Sequence, residues 1–277
     1  MLPAAAVAAL PLDDDNLLSE ILLRLPPLPS SLPRASAVCR CWRGLASDPA
    51  FSRRFRLHHR RNPPLLGYFY GDFHQIHFEP TLEGPNRVPP GRLSLHLNSH
   101  FRLLGCRHGL VLILDETPLQ LLVWNPITGH QHRLVIPMEF DPTKSLINRA
   151  VLCSAAGGIH FKVVLTVATD DYEVLACVYS SETGVWGTTT QLRKRKTDCD
   201  GAASWGVGRT IELDKLLSLD SEPYTWIQGF AEDKNLVFLC AGNSNFTVQL
   251  ESLQFKKLPT PRMNCFHPFE SVYAAGI

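Results

Sequence analysis

The apolar residues of this chain change their period once, at Asn62-Pro63-Pro64. Before that point they recur at helical spacing; after it they fall in short runs bounded by Gly, Pro and Asn. Such patterning predicts an α+β multidomain chain, a small helical module followed by a larger all-β domain. The boundary divides the 277 residues into 1–61, with a helical core at 10–55, and 62–277.

The stretch from Leu10 to Phe55 reads as three short helices punctuated by prolines. Leu17, Leu18, Ile21, Leu22 and Leu25 lie on one side of the first, with Asp13, Asp14, Asp15 and Asn16 as candidate N-caps. Pro26 and Pro27 end it. Ser31 and Pro33 start a second helix whose face carries Ala35, Val38, Trp42 and Leu45. Asp48-Pro49 starts a third, with Phe51 and Phe55 on its inner side. Roughly 45 residues cannot bury all of these apolar side chains against one another. The surplus is covered either by the β domain behind it or by a partner protein.

The segment resembles an F-box: Leu10-Pro11, the LLSEILLRLP run, VCRCW and DPAF fall in that motif's order and spacing. One departure is Leu12, which intervenes before the acidic run. The resemblance implies docking onto the small Skp adaptor of a cullin–RING ubiquitin ligase. The implied docking residues are Leu10, Pro11, Leu17, Leu18, Ile21, Leu22, Leu25, Pro26, Val38, Cys39 and Trp42.

From Leu65 onward, runs such as LLGYFYG, GLVLIL, QLLVWN, EVLACVYSS and NLVFLCA read as strands at roughly 8–12-residue spacing, which predicts a sandwich, barrel or propeller. A weak repeat favours the propeller. Leu122 to Gly129 (LVWNPITG) resembles Cys177 to Gly184 (CVYSSETG), and Phe246 to Glu251 begins a third copy that lacks the Thr-Gly. Gly129 and Gly184 lie 55 positions apart, close to a blade repeat of about 40–50. The phrases FEPTLEGP, RLLGCRHGLVLIL, LLVWNPITG, CVYSSETGVWG and VQLESLQFKKL are also similar to the β-propeller-like domain that follows the F-box in a large plant family, especially of grasses. Family members carry further strands between the phrases VYSSETGVW and RKTDCDG. Here they run together, so the resemblance implies missing blades, about five remaining at best, and exposed strand edges near Thr188–Arg195.

Composition excludes several functions. A net charge of +1 argues against a nucleic-acid binder that works through bulk phosphate attraction. The basic stretch from Arg53 to Arg61 reads as a solvated helix end or a nuclear-import or RNA-facing patch, and Arg193-Lys194-Arg195-Lys196 as a solvated loop or an import signal. The eight cysteines are scattered without a Cys-x-x-Cys, which suits reduced thiols in the cytosol or nucleus. The opening MLPAAAVAALPL lacks a basic n-region, and no run of about 18 apolar residues occurs, so neither export nor a membrane span is expected.

Among eleven histidines, His130-x-His132, His74-x-x-His77 and Cys106 with His108 come nearest to ligand spacing, but none has a second pair, so no metal or cofactor is expected. Asp170-Asp171 reads as a hairpin turn, and no nucleophile elbow, phosphate loop or zincin motif occurs. The expected function is therefore non-catalytic: a substrate receptor of a ubiquitin ligase, binding the Skp adaptor and an unknown target protein. The alternative is a propeller-type binding scaffold, or a non-productive shortened variant, without ligase function.

Overall fold

A computed structural model describes residues 14–71, 75–97, 100–140, 147–153, 160–168, 173–187, 190–193, 216–217, 225–231, 234–242, 244–258 and 265–273. Helices α1 (Asp15–Leu23), α2 (Ser31–Ser36), α3 (Arg40–Ser47) and α4 (Pro49–His59) come first. Asp14 caps α1 by accepting from the backbone N–H groups of Asn16 (2.8 Å) and Leu17 (3.3 Å). Asp48 caps α4 in the same way, through Ala50 (3.1 Å) and Phe51 (3.2 Å), with Pro49 in the first turn.

The expected second helix is two helices. Cys39 is extended (φ −159, ψ 175) and its Sγ accepts from the Trp42 N–H at 3.5 Å, so it caps a new helix. Val38 lies in the break, 63% exposed. Ser30, the residue before α2, caps nothing; its N–H and hydroxyl both donate to Asn86 Oδ1 (3.2 and 2.7 Å).

The strands are β1 (Leu65–Gly71), β2 (Gln75–Pro80), β3 (Leu95–His96), β4 (Phe101–Arg107), β5 (Leu110–Asp115), β6 (Gln120–Trp124), β7 (Gln131–Val135), β8 (Ile147–Cys153), β9 (Phe161–Ala168), β10 (Glu173–Ser180), β11 (Val185–Trp186), β12 (Thr190–Arg193), β13 (Thr225–Ala231), β14 (Leu236–Ala241), β15 (Ser244–Gln249), β16 (Phe255–Leu258) and β17 (His267–Glu270). Among the described residues they form four antiparallel sheets, in the orders β17-β1-β2-β3, β4-β5-β6-β7, β8-β9-β10-β11 and β13-β14-β15-β16. β12 continues the outer line of the third sheet, pairing with β10 beyond β11.

Three sheets are meanders of consecutive strands, and the first adds β17 beside β1; the leading strands of neighbouring sheets meet, β4 against β17 and β8, and β13 against β17. That is propeller geometry. β17 was not foreseen as a strand. It brings the far end of the chain back to β1, pairing Phe69 with His267 and Leu65 with Glu270. It tolerates Pro268 because its one ladder among the described residues is with β1.

Sheet faces pack on sheet faces through apolar cores. Phe69, Phe78, Val111, Leu122 and Trp124 join the first two sheets; Leu112, Leu121, Val163, Leu165 and Tyr179 join the second and third; Tyr68, Phe238 and Phe266 join the fourth to the first. No comparable contact joins β8 to β13 among the described residues. The fourth sheet's other face carries Val237, Leu239, Phe246 and Val248, with Leu216 and Leu217 against it. Ile227, Phe230 and Phe255 extend that face by register and stay exposed, at 72%, 45% and 45%. The expected run GRTIEL, and positions 188–189 and 194–195 of the expected edge, lie outside the described residues, while Thr190–Arg193 form β12.

The repeat seen in the sequence is a repeated turn. Gly129 donates to the Asn125 carbonyl (2.8 Å), Gly184 to that of Ser180 (2.9 Å) and Leu253 to that of Gln249 (2.8 Å). All three donors are left-handed, with φ of 76, 73 and 57, so the third copy holds a leucine where the others use glycine.

Candidate protein-docking surface

The helical module divides its apolar residues between an inside and an outside. Leu18 and Leu22 are fully buried, in one cluster with Leu23, Leu32, Ala35, Phe51, Phe55 and, from the far end of the chain, Val272. Leu18 and Leu22, expected among the docking residues, thus fill the module's own core and show no exposed surface in this chain. The surplus is thus covered in part by the chain itself. Leu25 and Trp42 are partly buried against the same cluster.

What remains outside is Leu17 (43% exposed), Ile21 (37%) and Val38, with Pro26 and Cys39 also exposed. Leu17 and Ile21 lie one turn apart on a single stripe of α1. Cys41 Sγ reaches Asp15 Oδ1 at 3.3 Å, which holds the start of α3, next to Cys39 and Val38, against the start of α1. Leu10 and Pro11 lie outside the described residues.

The opposite side of the module is polar and tied down. Arg54 of α4 donates to Ser19 Oγ (3.0 Å) and to Glu20 Oε1 (2.8 Å) of α1. The His59 ring lies tilted against Phe55 with centroids 4.6 Å apart, and its Nε2 lies 2.9 Å from the Leu23 carbonyl oxygen. Burial lowers the His59 pKa, and burial beside Arg53 lowers that of Arg56. Arg54 and His59 therefore belong to packing within the module.

The other expected chemistry is dispersed. His132 bonds to the Tyr179 hydroxyl at 2.9 Å and His77 stacks on Tyr70, so both serve packing between strands, while His130 is exposed at the Gly129 turn. Burial pushes the Cys106 thiol well above its usual value, away from thiolate chemistry. Asp115 is buried and paired with Arg133 at 3.0 Å. His74, Asp170-Asp171 and Lys194–Lys196 lie outside the described residues. No cluster of three or more metal-ligating side chains occurs among the described residues, and no described helix is long and apolar enough to cross a membrane.

A capped helical module with an apolar outer flank, set on propeller-type sheets, defines an F-box protein of the propeller class, and family comparison agrees. Residues 9–58 match the F-box-like model. Residues 90–235, over half of the chain, match the model described as F-box protein At3g26010-like, beta-propeller. The chain belongs to that family.

Among relatives, F-box protein At3g26010 of Arabidopsis thaliana is 28% identical over 186 residues, 64% of this chain and 43% of the relative. The F-box/kelch-repeat protein At1g15680 of the same plant is 25% identical over 217 residues, 73% of this chain and 51% of the relative. The chain thus spans about half or less of the length of the curated relatives it matches. A solved extracellular domain of a one-component system from B. thetaiotaomicron covers 71% of this chain and 24% of its own at a TM-score of 0.23 and 11% identity, too remote to argue from.

Proposed function

We propose that the chain is a non-catalytic substrate receptor of an SCF-type cullin–RING ubiquitin ligase, acting in the cytosol or nucleus. Its helical module grips the Skp adaptor and its sheets hold a target protein. Tethering a target beside the ubiquitin-charged partner raises its effective concentration without any chemistry by the receptor itself. The observation that carries this is the exposed apolar stripe of Leu17 and Ile21, continued by Val38 and Cys39, on a module whose core is already complete. Pro26 and the partly buried Leu25 and Trp42 border it, and Leu10 and Pro11 precede it in the chain.

The test is adaptor binding by the purified chain. Leu17→Asp and Ile21→Asp place charge on exposed positions, so both variants keep the fold and should bind the adaptor at least about tenfold more weakly, as for an interface anchor. Unchanged affinity in both would remove the docking assignment. A second reading, a binding scaffold without ligase function, draws on the outer face of the fourth sheet, where Ile227 and Phe255 meet solvent beside the part that Leu216 and Leu217 cover. Adaptor affinity decides between the two.

A further inference from the structure

The end of β17 is shared by two cores. Phe269, within β17, is buried in the core between the first two sheets, and Glu270 pairs with Leu65. The next residue, Ser271, donates its N–H to the Pro64 carbonyl at 3.2 Å, in the link between α4 and β1. Its side chain also backs the β4–β5 turn, where a Cβ on Gly109 would meet Ser271 Oγ at 2.8 Å. Val272 then enters the helical core at 4% exposure, beside Leu18, Leu22, Phe51 and Phe55, and Tyr273 returns to pack on the sheets.

Five consecutive residues therefore run from the sheet core through the link into the helical core and back. Their spacing leaves no slack, because consecutive Cα atoms are 3.8 Å apart. If β17 leaves β1, Val272 leaves the helices.

We infer that pairing of β17 with β1 and consolidation of the helical module are one cooperative event, with Val272 as the strut between them. The helical core lacks one wall until the last described strand has paired. The integrity of the helical module thus reports that β17 has paired with β1. This coupling is independent of the adaptor reading, since it is measured on the chain alone.

Amide hydrogen exchange on the full chain tests it. Phe269→Ala removes a side chain that belongs to the sheet core and not to the helical one. It should lower protection in α1 and α4 together with that in β1 by at least about tenfold, while β9 and β10 keep theirs. Val272→Ala should lower α1 and α4 to a similar degree. If Phe269→Ala does not fold, Phe269→Leu, which keeps most of the volume, reads the same way with a smaller change. Protection of α1 and α4 within twofold of the wild type while that of β1 falls would overturn the coupling. So would an equal fall in β9 and β10, which would mark general loosening and not a strut.

Discussion

Gly229 sits so close to Phe266 that a Cβ on it would fall 2.3 Å from the Phe266 carbonyl oxygen. The neighbouring Gln228 carbonyl accepts the Phe266 N–H at 3.1 Å, so β13 and the approach to β17 are stitched backbone to backbone. β13 is bulged between Ile227 and Gly229, which brings the two chains together. Gly229→Ala is therefore expected to destabilise the fold by about 1–3 kcal/mol, as overpacking against backbone does. Denaturant unfolding checks it. Gly105, also at a bulge but with open space around it, serves as the control and should tolerate alanine better.

Leu253 occupies the left-handed position that Gly129 and Gly184 fill in the equivalent turns. A leucine there costs about 1–2 kcal/mol of backbone strain that glycine avoids. Leu253→Gly should thus raise stability by about 1 kcal/mol once the greater freedom of glycine in the unfolded chain is subtracted. A thermal melt that shifts downward would contradict this.

His267 opens β17, and its buried Nε2 has no hydrogen-bond partner among the described residues. Burial lowers its pKa to about 4, against 6.5 for the free side chain. The unfolded chain therefore takes up a proton that the folded one refuses. The stabilisation is complete above pH 6.5 and is lost as pH falls from there toward 4, by on the order of 3 kcal/mol at most. Unfolding curves at pH 7, 5.5 and 4 should show this fall in the wild type and a flatter profile in His267→Phe.

The two faces of the fourth sheet should respond differently to mutation. Phe238 is fully buried between the fourth and first sheets, and truncation to alanine is expected to cost about 3–5 kcal/mol. Ile227 and Phe255 are exposed on the other face, so Ile227→Lys and Phe255→Glu should each stay within about 0.5 kcal/mol of the wild type. The same two substitutions should reduce binding of a hydrophobic dye such as ANS, whereas Phe238→Ala should increase it.

Features written in neighbouring residues were legible in the sequence. Asp14 and Asp48 cap helices because an acidic side chain reaches the first turn from its own position, and the strand runs declare themselves by composition and turns. The α2–α3 break was not legible, because Cys39 is an unusual cap and its helical neighbours hide it. β17 was missed because it is short and contains Pro268, which argues against a strand until the edge position is known. The burial of the helical residues was half legible. Helical spacing placed Leu17, Leu18, Ile21 and Leu22 on one side, but the core that takes in Leu18 and Leu22 includes Val272, 250 positions beyond Leu22. Such a contact leaves no local trace.

The link between helices and sheets is short and fastened on several sides. Pro63 and Pro64 are buried, Ser30 holds Asn86, and Lys234 bonds to Asn62. Anything gripped by α1 and anything carried on the sheet loops therefore keep a constant bearing to each other, like cargo on a welded boom. Lengthening that join by a few glycines would loosen this bearing and, through the Ser271–Pro64 bond, the seat of Val272 as well.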